Sequence, residues 1–251
     1  MDYFAFQWHI TDECDQRCKH CYIFSEGHPK LIEMPWEGLR VGERNSGMGL
    51  VAVLANVERM AERMQRTPYL YITGGDPILH SRFWDFLELV HSRGIPFTLM
   101  GNPFHLSDEV CQRMDTTFNL KDHLWTLFLY EKGLFKIPEG LDEDTIYDGC
   151  NCGNCHFTIS AEGRLMACRR FESYVGTVDE ELYDVFHSPK MDAYRQHERF
   201  EKCCQCELLR FCRGCPAVAY GYTKRSTSGR FDTSKNFYAP DPQCWKEVKS
   251  N

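Results

Sequence analysis

Residues Cys14-Asp15-Gln16-Arg17-Cys18-Lys19-His20-Cys21 place three thiols within eight positions, and a loop held to a common metal centre is the fold element this spacing dictates. Three thiolates so spaced can hold three corners of a four-iron cluster, leaving the fourth iron open to a small molecule. A zinc knuckle or a disulfide pair is the competing reading, and zinc sites normally pair cysteines as C-x2-C or C-x4-C with a fourth ligand close by. Here no further cysteine follows until Cys111. His20 is the one nearby alternative donor, and it lies between two ligands where a tight loop would turn it away.

The cysteines come directly after Tyr3–Ile10, a run aromatic and β-branched enough for a buried strand, so the loop sits at a strand's carboxyl end. Gly49–Gln65 has apolar residues at helical spacing, and the Thr67-Pro68 break precedes a second strand, Tyr69–Thr73. Ser81 is expected to cap a helix that Gly94 ends, Ile95–Met100 to form a third strand, and Ser107 to cap a helix over 107–114. Trp125–Tyr130 reads as one more strand. At about thirty residues per βα unit, six units need roughly 190 residues; only 149 precede Cys150. The expectation is α/β: a shortened, partial (β/α) barrel over 1–149, with later units missing near 115–122, and a small cysteine-rich α+β domain over 150–251.

Charge and composition narrow the function classes. A net charge of -7 argues against binding nucleic acid or an anionic membrane by electrostatics. The start lacks a basic leader followed by an apolar segment, and Gly49–Val57 is too short to span a bilayer. With neither a leader nor a span read here a cytoplasmic protein is expected, and fourteen cysteines in that reducing compartment point to metal ligands rather than disulfides.

The spacing C-x3-C-x2-C, with His20 before the last cysteine and Tyr22 after it, resembles the radical S-adenosylmethionine (radical SAM) superfamily. So does Gly74-Gly75-Asp76-Pro77 after the second strand, matching the family's Gly-Gly-Glu-Pro-like turn with Asp76 in place of glutamate. The resemblance implies a [4Fe–4S] cluster on Cys14, Cys18 and Cys21, and S-adenosylmethionine bound with help from Gly74, Gly75, Asp76, Pro77 and His20. Residues contacting the adenosine half have no match here.

Ten of the fourteen cysteines fall between 150 and 244. Alone, their C-x2-C pairs suit zinc ribbons as well as iron. The run Cys155, Cys168, Cys203-x2-Cys206-x5-Cys212-x2-Cys215 and Cys244 resembles the SPASM domain of peptide-modifying radical SAM enzymes, with the last gap one residue shorter than the usual C-x3-C. By that resemblance one auxiliary [4Fe–4S] cluster uses Cys155, Cys168 and Cys215 with Cys150 or Cys152, and a second uses Cys203, Cys206, Cys212 and Cys244. A hairpin turning at Glu162-Gly163 would join Cys155 to Cys168. Cys204 is left over, and Cys111 reads as a small core residue.

The implied activity is formation of a 5′-deoxyadenosyl radical that modifies a peptide or protein substrate, by thioether or other crosslink formation, with flavodoxin or ferredoxin as reductant. Sulfatase-maturase-like side-chain oxidation and a non-catalytic iron–sulfur or zinc-binding protein are the alternatives. Asp12, Glu13, Asp15 and Glu33 read as a solvated face and His80 as a surface residue at a helix start, so no catalytic acid or base is assigned.

Overall fold

The computed structural model describes residues 3–16, 18, 21, 23, 32–38, 48–101, 105, 107–114, 124–142, 144–226 and 237–248. His20 and the expected gap near 115–122 lie outside the described residues. The chain forms two compact units: residues 1–117 with 155–192, and 118–154 with 193–251.

The first unit is built on an open six-stranded sheet, in the order β3-β2-β1-β4-β5-β6. Its strands are β1 (Tyr3–Thr11), β2 (Thr67–Gly74), β3 (Phe97–Leu99), β4 (His156–Ile159), β5 (Arg164–Met166) and β6 (Tyr174–Thr177). The first four are parallel; β5 and β6 are added antiparallel. Strands from beyond residue 149 thus continue the N-terminal sheet.

Side chains alternate across β1. Phe4, Phe6, Trp8 and Ile10 are all fully buried on one face. There the ring of Phe186, from α5 (Leu182–Phe186), meets Phe4 edge-on at 4.8 Å, and Phe86, from α2 (Phe83–Ser92), meets Trp8 at 5.1 Å. Helix α1 (Leu50–Arg63) buries Leu50, Val53, Leu54, Val57, Met60 and Ala61 at the helical period. It is tied to the turn after β6 by Asn56, whose Nδ2 donates to the carbonyls of Val178 and Glu180 at 3.1 and 3.2 Å. The opposite face is polar: Gln7 pairs in register with Tyr71 and Thr158, and His9 with Thr73.

Several expectations are corrected here. Pro68 lies inside β2 rather than before it, which the ladder tolerates because β2 at that point has a neighbour on one side only. Ser81 does not cap α2; its amide and hydroxyl both donate to the Glu33 carboxylate. His80 is buried, its Nε2 2.8 Å from the Met34 carbonyl oxygen and its Nδ1 accepting from the Arg82 amide. Ser107 does cap α3 (Asp108–Met114), accepting from the Val110 amide at 3.3 Å.

In the second unit, Trp125–Glu131 is helix α4, not a strand. The three-residue spacing of Leu124 and Leu127, and of Trp125 and Phe128, explains this: the leucines bury against Leu208 and Cys212, while the two rings stack on each other at 5.4 Å and stay exposed. Helix α6 (Pro189–Asp192) ends the first unit's second segment, and α7 (Pro216–Ser226) follows Cys215. No helix among the described residues is long and apolar enough to cross a membrane.

Candidate metal centres

The N-terminal cysteine loop is anchored to the glycine turn through backbone bonds. The Gly75 amide donates to the Thr11 carbonyl at 2.8 Å and the Asp76 amide to the Glu13 carbonyl at 2.7 Å, so the glycine turn after β2 is laid against the chain entering Cys14. Only glycine permits this. A Cβ on Gly74 would stand 2.0 Å from the Thr11 oxygen and one on Gly75 2.1 Å from the Glu13 oxygen. Cys14 and Cys21 are half-buried, Cys18 is exposed, and the Cys21 amide closes a turn on the Cys18 carbonyl at 3.0 Å. Burial pushes the Cys14 thiol up, with repulsion from Asp76, Asp15 and Cys21 adding to it. A cationic iron centre would relieve that repulsion.

Of the acidic residues expected to be solvated, Asp12 is drawn into this region, whereas Glu13 and Asp15 are exposed. Asp12 is buried and pairs with Arg169 at 3.4 Å; burial raises its carboxyl pKa and Arg169 opposes the rise. Asp15 accepts from His105 at 2.9 Å, which together with Gln16 holds its carboxyl below the ordinary value. Asp76 is buried, and that burial raises its carboxyl. His9, fully buried on the polar face of the sheet, is held well below the usual imidazole range by desolvation and then by Arg169 and His156.

Cys155 opens the β4–β5 hairpin and Cys168 follows its end. The Ala5 amide donates to the Cys155 carbonyl at 3.0 Å, and Ser173 holds Cys168 through both its amide and its carbonyl. Gly163, at φ 74°, makes the hairpin turn.

In the second unit Cys203, Cys206, Cys212 and Cys244 line one small cavity, shared with Leu127 and Lys202. Burial is the main reason the Cys203 thiol is pushed up to about 12, with Cys244, Cys206 and Cys212 adding repulsion. Burial likewise raises Cys206 and Cys212. Lys202 supplies the compensating charge, its Nζ 3.4 Å from the Cys244 sulfur and 3.1 Å from the Cys244 carbonyl. Four thiols around one space, with a cation beside them, is a donor set that fits an iron–sulfur cluster. Cys204 is exposed.

Two residues that the cysteine spacing did not single out organise this unit. Asp241 is buried; its Oδ2 accepts from the Cys215 amide at 2.7 Å, and its carbonyl accepts from the Cys244 amide at 3.0 Å. Arg213, 2% exposed, donates to the carbonyls of Cys150 and Cys152 and lies 3.1 Å from His197 Nδ1. Burial and then Arg213 lower His197 to about 4. The one hint in the sequence was an arginine enclosed between Cys212 and Cys215. Cys150, Cys152 and Cys215 belong to this unit, whereas Cys155 and Cys168 belong to the first.

Comparison with known proteins bears on the same segments. Residues 8–119 match the family model of the radical SAM superfamily, and residues 150–216 match that of the SPASM iron–sulfur cluster-binding domain. The chain is 26% identical over 100 residues to an S-adenosylmethionine-dependent nucleotide dehydratase of Fibrobacter sp. (strain UWH6). That match spans 39% of this chain and only 27% of the relative. Among solved structures, Streptococcus suis SuiB bound to S-adenosylmethionine superposes with a TM-score of 0.58 at 12% identity, covering 97% of this chain and 77% of that one. SuiB bound to precursor peptide SuiA gives a TM-score of 0.56 at 12% identity, covering 97% and 76%. The chain belongs to the radical SAM superfamily and carries a SPASM domain, with [4Fe–4S] clusters and S-adenosylmethionine as its cofactors.

Proposed function

We propose that the protein is a radical SAM enzyme that modifies a peptide or protein substrate, maturing a ribosomally made peptide by thioether or other crosslink formation. The observation that carries this reading is the pair of backbone bonds that seat Gly75 and Asp76 on Thr11 and Glu13, immediately before Cys14. That arrangement sets the cysteine loop and the glycine turn at the adjacent ends of β1 and β2, as one site requires.

In this reading Cys14, Cys18 and Cys21 would hold the reactive cluster, and the backbone of Gly74–Pro77 would receive the amino group of S-adenosylmethionine. When bound, these groups supply hydrogen-atom abstraction by a 5′-deoxyadenosyl radical. The chain's part is positioning: Gly74 and Gly75 fix the turn, and the polar row of Gln7, His9 and Tyr71 lies on the sheet face opposite the packed helices. Cys203, Cys206, Cys212 and Cys244 would hold one auxiliary cluster. A reductant of the flavodoxin or ferredoxin class and a cytoplasmic setting complete the proposal.

The SuiB complex with its precursor peptide supports a peptide substrate. The partial likeness to a nucleotide dehydratase supports a nucleotide as the competing one. The test is iron content together with 5′-deoxyadenosine release, on anaerobically reconstituted protein given S-adenosylmethionine and a strong reductant. About twelve irons per chain are expected, four for each of three clusters. Replacing Cys14, Cys18 and Cys21 by alanine should remove about four irons and all cleavage. Iron without cleavage would leave a cluster-bearing protein that is not an enzyme. Mass change in short cysteine-containing peptides, against none in nucleoside triphosphates, separates the two substrate classes.

A further inference from the structure

Two lysines, Lys202 and Lys246, line the cavity that gathers Cys203, Cys206, Cys212 and Cys244 in the second unit, and Leu127, Leu208 and Val248 supply apolar wall. The two cations are not equivalent. Lys246 Nζ stands 3.1 Å from Glu207 Oε1 and 3.7 Å from Glu131 Oε1, so carboxylates already offset its charge. Lys202 pairs with no carboxylate among the described residues. Its Nζ donates instead to the Cys244 carbonyl at 3.1 Å and to the Cys244 sulfur at 3.4 Å, 42 positions along the chain. Lys202 also stands immediately before the 3-10 turn Cys203–Gln205, so one short segment brings both a thiol and the ammonium to the cavity.

We propose that Lys202 sets the reduction potential of the cluster held by these four thiols, raising it so that the cluster takes an electron from a weaker donor than the cysteines alone would allow. This rests on the reading above that the four thiols hold an iron–sulfur cluster. The physical reason is charge. One-electron reduction adds negative charge to a centre that its thiolates already make anionic, and a cation beside a ligand sulfur stabilises the reduced state more than the oxidised one. The hydrogen bond to that sulfur acts in the same direction by drawing electron density from it. Lys202 is half-buried, so its field is screened less than that of a lysine in water. The field of Lys246 is met by Glu131 and Glu207 and contributes less.

The test reads a potential rather than turnover. The iron-loaded chain carrying Cys14→Ala, Cys18→Ala and Cys21→Ala, in which auxiliary iron alone gives a signal, is titrated anaerobically with dithionite while the electron paramagnetic resonance of the reduced cluster is followed. Lys202→Gln is expected to lower one midpoint by at least about 59 mV, tenfold in the one-electron equilibrium. Lys202→Arg should hold that midpoint near the parent value, and Lys190→Gln, at an exposed lysine of the first unit, should leave it unmoved. Iron content shows whether each variant is loaded, and Lys202→Met replaces a glutamine variant that is not. A loaded neutral variant with the parent midpoint, an arginine variant shifted as far as the neutral one, or failure of both neutral variants to load would overturn the tuning role alone. Iron content unchanged when Cys203, Cys206 and Cys212 are replaced together by alanine would overturn the cluster reading, and the tuning role with it.

Discussion

The N-terminal cysteine loop and the thiol pocket of the second unit present the same donor atoms in different frameworks. Around Cys14, Cys18 and Cys21 the framework is backbone: two amide–carbonyl bonds from a glycine turn, with Cys18 left exposed. Around Cys203, Cys206, Cys212 and Cys244 side chains join the backbone bonds: the Asp241 carbonyl accepts from the Cys244 amide, its carboxylate accepts from the nearby Cys215 amide, and the Lys202 ammonium lies against the Cys244 sulfur. The first framework leaves the Cys18 thiol open to solvent. The second draws its four thiols from both ends of a segment of forty-two residues into one cavity.

That contrast is sharpened by breaking each framework in turn. Gly75→Ala is expected to do the most damage, because its Cβ would meet a backbone oxygen at 2.1 Å that cannot step aside. The loss should be on the order of 3 kcal/mol in denaturant unfolding, with the N-terminal cluster and 5′-deoxyadenosine release lost and auxiliary iron retained. Arg213→Met leaves the Cys150 and Cys152 carbonyls without their donor, costing about 2 kcal/mol. It should lower auxiliary iron while the N-terminal cluster, followed by its electron paramagnetic resonance, persists. If both variants lose all three clusters together, the two frameworks are not independent and the comparison fails.

Acid should act on the second framework first. His197 titrates at about 4 in the folded chain and near 6.5 when unfolded, so the unfolded state binds the extra proton between those values. Stability contributed by the neutral imidazole is therefore full above about pH 6.5 and drains away as the pH falls towards 4. His197→Gln should flatten that part of a stability-against-pH curve, and an unchanged slope would remove His197 from the account. Cys204→Ser is expected to have the smallest effect, within about 0.5 kcal/mol and with no iron lost. A drop in iron would make Cys204 a ligand and require a different set around the pocket.

Much of this was legible in local spacing. The period of Leu50, Val53, Leu54 and Val57 is a helix in any context, and Glu162-Gly163 is a turn because glycine reaches φ 74° without strain. Elsewhere short windows misled. Trp125–Tyr130 has strand composition, and only the packing of Leu124 and Leu127 on Leu208 made it helical. Asp12 and His80 look like surface residues until their partners, Arg169 and the Met34 carbonyl, arrive from 157 and 46 positions away.

By itself the sequence determined the chemistry: which thiols exist, which are crowded closely enough to share a metal, and where glycine lets the backbone approach. Those are properties of adjacent residues and survive without a fold. The tertiary structure alone decided that β4–β6 extend the N-terminal sheet, that Arg213 and Asp241 bind the cysteine segments of the second unit, and that a buried carboxylate of Asp76 faces His105. Each of these depends on burial and on pairing across long separations, and desolvation, which makes such pairings energetically decisive, exists only once the chain has packed.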